Sequence, residues 1–159
     1  MTDAKTPGIA QRDAFTVIGL PYEGPMDNHE GLSAVWHDYE KRAEEIAPRA
    51  SENTGFGVFT SSPEQAAKGE MTYLACAPVT EETPVPEGMV RLEVPGGQFA
   101  MLTHVGFLTG LRDSYSRLFQ WIGEQGLAPD GRPGYELYDQ RFNPSSPDNE
   151  IDLYIPVSN

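Results

Sequence analysis

One arrangement of residues occurs twice along this chain, and it limits the folds available more than any other feature. Gly55-Phe56-Gly57-Val58-Phe59 precedes a polar Ser/Pro loop and then Tyr73-Leu74-Ala75-Cys76-Ala77-Pro78-Val79. Gly134-Tyr135-Glu136-Leu137-Tyr138 precedes the loop Asn143-Pro144-Ser145-Ser146-Pro147 and then Ile151-Asp152-Leu153-Tyr154-Ile155-Pro156-Val157. Both versions close on Pro-Val. Upstream, β-rich runs at Ala14–Leu20 and Gln98–Val105 each precede a helical pattern. In the first helix Leu32, Val35, Trp36, Tyr39, Ala43 and Ile46 fall on one stripe; in the second Leu111, Tyr115, Leu118, Phe119 and Ile122 do so. Asp27 with Glu30 reads as a capping box, and Pro48 stops the first helix. Thr109 reads as the N-cap of the second helix and Gly126 as its stop.

Each half therefore reads β-α-β-β, and the expected fold class is α+β: two pseudo-symmetric units forming antiparallel sheet with two main helices and a cleft between the units. The stretch 80–88, TEETPVPEG, is too rich in Pro and acid for an element and reads as the linker. The expected organisation is a flexible lead over 1–12 and one domain over 13–157. Within it, repeat 1 covers about 13–79 and repeat 2 about 89–157. Val90–Val94 reads as a further strand.

The formal net charge of -13 argues against nucleic acid, whose phosphates need Lys and Arg, and against an anionic membrane surface. It favours cationic or neutral partners. The one cysteine, Cys76, lies in an apolar run and reads as a buried thiol. No apolar stretch is long enough for a membrane span and the N-terminus lacks a signal-peptide core, so the expected compartment is the cytoplasm. No phosphate loop, dinucleotide fingerprint or nucleophile elbow is present. His29, His37 and His104 lack metal-ligand spacing, so neither metal nor cofactor is expected.

Glu136 stands out. It interrupts an apolar and aromatic strand, sharing a face with Gly134 and Tyr138. Its counterpart in the first half is Gly57, which leaves room for a ligand near the pseudo-axis. Two readings stand: a carboxylate on an open wet face, or a buried one that needs a cation, a neutralising shift or a ligand. Trp36, Tyr39 and Tyr115 sit on helical stripes and read as core. Tyr154 lies opposite the Ile151, Leu153, Ile155 face, and Trp121 is off its helix's stripe; such off-core aromatics are pocket candidates. Aromatics around a carboxylate suit an organic cation.

The ordered set FTVIG at 15–19, GFGVF at 55–59, FAMLTHVG at 99–106, YSRLFQW at 115–121, YELY at 135–138 and EIDLYIPV at 150–157 resembles the GyrI-like small-molecule-binding family. That module is also the effector-binding domain of multidrug-responsive transcription activators. The resemblance runs from about Asp13 to Val157. It implies tandem βαββ units with a drug-like or cationic ligand between them, recognised by a buried Glu, here Glu136, with Tyr138 beside it. Trp36, Tyr73, Trp121, Tyr154 and Phe56 complete the expected ligand-binding set. The lead before Asp13 is too short for a helix-turn-helix, so direct DNA binding is not expected.

Three functions follow. The first is a stand-alone domain that captures or senses a cationic or aromatic small molecule. The second, also implied by the resemblance, is a hydrolase of electrophilic, cyclopropane-type toxins, with Glu136 as general base and Tyr138 as proton donor. The third is a protein-interaction role such as restraint of DNA gyrase.

Overall fold

The computed structural model describes residues 6–51, 53–143 and 145–158, so Pro144 of the second loop and the first five residues of the lead lie outside it. The strands are β1 (Gly8–Arg12), β2 (Phe15–Pro25), β3 (Gly55–Thr60), β4 (Glu70–Val79), β5 (Val90–Val94), β6 (Gly97–Val105), β7 (Ala128–Pro129), β8 (Gly134–Tyr138) and β9 (Glu150–Ser158). The helices are α1 (His29–Arg42), α2 (Pro63–Ala67) and α3 (Leu111–Glu124). The strands join antiparallel in the order β1-β6-β9-β8-β3-β4-β2-β5, with β7 paired to the end of β9.

This order is the α+β arrangement that the repeat implies. β2, α1, β3 and β4 correspond to β6, α3, β8 and β9. The halves meet along β3 and β8, where Gly57 pairs with Glu136, flanked symmetrically by Gly55 with Tyr138 and Phe59 with Gly134. Equivalent residues thus face each other across the pseudo-twofold axis, and Glu136 lies on it.

The lead is not all flexible. Gly8–Arg12 forms an edge strand on β6, in the other half's sheet, as β5 does on β2. Each unit's leading strand is exchanged. Only two residues separate β1 from β2, so their facing ends are at most about 11 Å apart, although the strands stand far apart in the sheet order. Pro95 and Gly96 tether β5 to β6 in the same way. The sheet must roll until its edges approach. At the crossing, a Cβ on Gly96 would come within 2.6 Å of Ala14 N and Arg12 O, so only glycine fits there.

Rolling creates two buried faces. Val17, Phe56, Val58, Leu74, Phe99, Tyr135 and Tyr154 pack inside the roll. On the outer face α1 covers one half through Val35 and Tyr39, with Ile46 added from beyond the helix and its 3-10 turn at Ala43–Glu45, and α3 covers the other through Leu118 and Ile122. Phe119 lies on the expected stripe but is exposed, because the contact α3 makes with the sheet is narrower than that stripe.

The caps also differ in detail. Asn28, not Asp27, caps α1 by accepting from Gly31 N at 3.1 Å. Thr109 lies in a 3-10 turn over Leu108–Gly110 that leads into α3 without a side-chain cap. Gly126 ends α3 in the left-handed region, at φ +72°. The first Ser/Pro loop contains α2, started by a Ser62–Gln65 capping box with Pro63 in its first turn. Among the described residues, no helix is long and apolar enough to cross a membrane.

Deleting residues 1–12 should therefore strip an edge from β6 rather than remove an inert tail. We expect a loss of about 2 kcal/mol, or about 4–8 °C in melting temperature for a chain of this size, measured by circular dichroism. An unchanged melting temperature would mean that β1 adds nothing to stability.

Candidate functional site

The outer face of β8 presents Gly134, Glu136 and Tyr138 between the two helices. Glu136 is only 7% exposed. Three phenols donate to it. Tyr73 of β4 and Tyr138 of β8 reach Oε1 at 2.9 and 2.6 Å, and Tyr115 of α3 reaches Oε2 at 2.7 Å. Trp36 of α1 donates from Nε1 to the Tyr73 hydroxyl at 3.0 Å, which extends the chain to the other helix. Among the described residues no Lys, Arg or His forms an ion pair with this carboxylate. Both units contribute: Trp36 and Tyr73 from the first, Tyr115, Glu136 and Tyr138 from the second.

Hydroxyl donors to a charged acceptor contribute about 1.5–3 kcal/mol each, enough to offset much of the cost of burying a carboxylate. The phenols record that charge in turn. Burial first, and the negative Glu136 second, push the Tyr73, Tyr115 and Tyr138 hydroxyls well above the ordinary phenol value. All three remain donors at neutral pH.

Aromatic rings close over the group. Trp36 meets Tyr138 edge-on at 5.1 Å between centroids, Phe142 meets Tyr138 at 4.9 Å, and Phe59 meets Tyr115 at 6.0 Å. A ligand can reach Glu136 only if these rings move. The space expected beside Gly57 is already filled: a Cβ there would lie 1.9 Å from the Tyr73 hydroxyl oxygen and 3.0 Å from Glu136 Oε1. The missing side chain admits a phenol.

Of the residues singled out in the sequence, Glu136, Tyr138, Tyr73 and Trp36 come together. Phe56 and Tyr154 do not; they lie inside the roll, packed with Tyr135 on the opposite face. Trp121 packs at the α3 end against the cluster under that helix, away from the carboxylate. Tyr115 is the residue that the helical stripe concealed. Its signal was the hydroxyl, since a phenol on a buried stripe must find a partner.

The architecture is shared with known structures. SAV2435 bound to tetraphenylphosphonium superposes with a TM-score of 0.74 at 12% identity, covering 98% of this chain and 95% of that one. The EcmrR C-terminal domain superposes at 0.75 with 13% identity, covering 97% of this chain and 98% of that one. These likenesses define a paired-unit α+β domain of the kind found in such proteins. Residues 5–158 match the GyrI-like small molecule binding domain, and the chain belongs to that family. The transcriptional regulator BrlR of Pseudomonas aeruginosa is 35% identical over 151 residues, 94% of this chain. The chain spans about half of that relative's length, 54%.

Two outcomes test the site. Gly57→Ala should cost about 1–3 kcal/mol in denaturant unfolding, because the methyl displaces the Tyr73 hydroxyl; an unchanged midpoint would show that Tyr73 has room to retreat. The tyrosines give a pH signature. Their folded values lie above the unfolded one, so above about pH 10 the unfolded chain binds fewer protons and stability falls as pH rises. Absorbance of tyrosinate at 295 nm should lag behind that of the urea-unfolded chain from pH 10 upward and recover on unfolding. Coincident curves would contradict the burial of these phenols.

Proposed function

We propose that this domain binds a drug-like organic cation against Glu136, between α1 and α3. The observation that carries the reading is a buried carboxylate on the pseudo-axis that has three phenol donors and no cation of its own among the described residues. Phenols orient the carboxylate but leave its charge uncompensated, whereas a ligand cation neutralises it. Trp36, Phe59, Tyr115 and Tyr138 then offer ring faces to the same cation. The net charge of -13 raises the local concentration of cations at the surface. Membership of a small-molecule-binding family supports the reading, as does the tetraphenylphosphonium carried by SAV2435. Entry requires the Trp36 ring to leave Tyr138 and the Trp36–Tyr73 hydrogen bond to open, so α1 acts as the cover.

A second reading is hydrolysis of an electrophile with Glu136 as general base. Its support is the fold likeness to two structures named as hydrolases from Listeria innocua, each with a TM-score of 0.54 and 16% identity. Against it, three phenols already take most of the carboxylate's lone-pair sites and stabilise the anion, which weakens it as a base and leaves only one site, on Oε2, for a water. Restraint of a protein partner such as gyrase rests on the acidic surface alone and gains nothing from this geometry.

Tetraphenylphosphonium should raise the melting temperature of the native protein. At 100 times its dissociation constant the stabilisation is about 2.7 kcal/mol. Glu136→Gln should lose most of that shift, while a neutral triphenylmethane analogue should affect both proteins alike. Equal shifts by the cation in both proteins would remove Glu136 from the site. Release of a ring-opened product from a cyclopropane electrophile by the native protein, and not by Glu136→Gln, would move the assignment to hydrolysis.

A further inference from the structure

The inside of the roll holds a guanidinium that makes no ion pair among the described residues; the acid acting on it, the buried Asp152, is itself paired to Arg141. Arg12, at the end of β1, donates from Nε to the Tyr135 hydroxyl at 3.0 Å. Its guanidinium carbon lies 4.7 Å from the centre of the Tyr154 ring and 5.7 Å from that of Tyr135. Arg42, Arg132 and Arg141 each pair with an acidic side chain; Arg12 has no such pair among the described residues. Its two terminal nitrogens make no hydrogen bond among the described residues, and neither is fully buried, so each keeps some exposure on this half-buried side chain. Arg49 and Arg91 also lack an acidic partner, but their guanidinium groups are spent on backbone carbonyls, whereas the Arg12 terminal nitrogens are not.

Beside it lies an open surface hollow of about 410 Å³. Phe15 and Phe56 give it an aromatic wall, their rings 4.7 Å apart. Ser51 and Thr54 line it with hydroxyls 3.0 Å from each other. One hydrogen bond between two hydroxyls uses one proton and leaves the other free to donate outward. Asp13, which also lines the hollow, is exposed, so solvent screens its charge.

We propose that this hollow is a second ligand site, on the face opposite Glu136, that takes a small aromatic carboxylate. The Arg12 terminal nitrogens form a fork matched to a carboxylate, the free hydroxyl proton of the Ser51–Thr54 pair adds a donor, and Phe15 and Phe56 receive the apolar body. Stacking on Tyr154 and the bond from Nε to Tyr135 hold the fork in place before the ligand arrives, so little side-chain freedom is lost on binding. The site is opposite in charge preference to the one at Glu136 and shares no side chain with it.

The test is calorimetric titration of 2-naphthoate into the native protein, Arg12→Gln, Arg12→Lys and Glu136→Gln at low salt, with 2-naphthylmethanol and inorganic phosphate as control ligands. Expected are saturable binding of naphthoate by the native protein, at least tenfold weaker binding by Arg12→Gln, and affinity within twofold of native in Glu136→Gln. Arg12→Lys, which keeps the charge, guards against misfolding and should bind between the two, because one ammonium replaces a two-pronged fork. Absence of naphthoate binding by the folded native protein would overturn the proposal, as would equal affinity in Arg12→Gln. Equal binding of the neutral alcohol would reduce the site to an apolar hollow. Loss of naphthoate in Glu136→Gln as large as in Arg12→Gln would place the acid at the other face and overturn the second site, whatever tetraphenylphosphonium does.

Discussion

The carboxylate of Glu136 and the three phenols that donate to it are the contact on which the rest of this structure turns. A charge this deeply buried is tolerated only when it is well hydrogen-bonded. Supplying those bonds draws one residue from β4, one from α3 and one from β8 itself, and through Tyr73 the indole of α1. Both helices are therefore fastened to one group at the seam of the two units. Gly57 belongs to the same constraint, because the Tyr73 hydroxyl occupies the place its side chain would take.

The roll of the sheet follows from a different constraint, the two-residue tethers at 13–14 and 95–96. Short tethers with exchanged leading strands force the outer edges together, and the inner face becomes a core without any helix to cover it. The outer face needs the helices because nothing else shields Ile18, Ala75 and Leu153. One sheet thus carries two environments, and β8 borders both: Tyr135 faces inward to Arg12 while Glu136 faces outward to the phenols.

Much of this was legible in the residues, because a duplication writes its symmetry into the order of elements. The four corresponding elements and the placement of Glu136 near the axis follow from the repeat and the period of two, and β5 from its own short run at Val90–Val94. What failed did so for definable reasons. The period of two places Tyr154 opposite Ile151 and Leu153, but in a rolled sheet both faces are core, so the face away from Ile151 is no pocket face. Gly8–Arg12 is too short and mixed to announce itself as a strand, and its partner β6 is distant in sequence. Tyr115 sits where a helical stripe predicts packing, and periodicity cannot tell a ring that only packs from one whose hydroxyl is also committed.

The register at the seam has a consequence for how such a site can arise. Two identical chains related by a twofold axis must place the same residue on both sides of it. A homodimer of single units would therefore set two glycines there, leaving no charge, or two glutamates, whose mutual repulsion would drive a proton onto one of them. One carboxylate opposite one glycine, as at Glu136 and Gly57, needs two units of different sequence, which this single polypeptide supplies. A nearly symmetric frame thus holds an asymmetric charge at its centre.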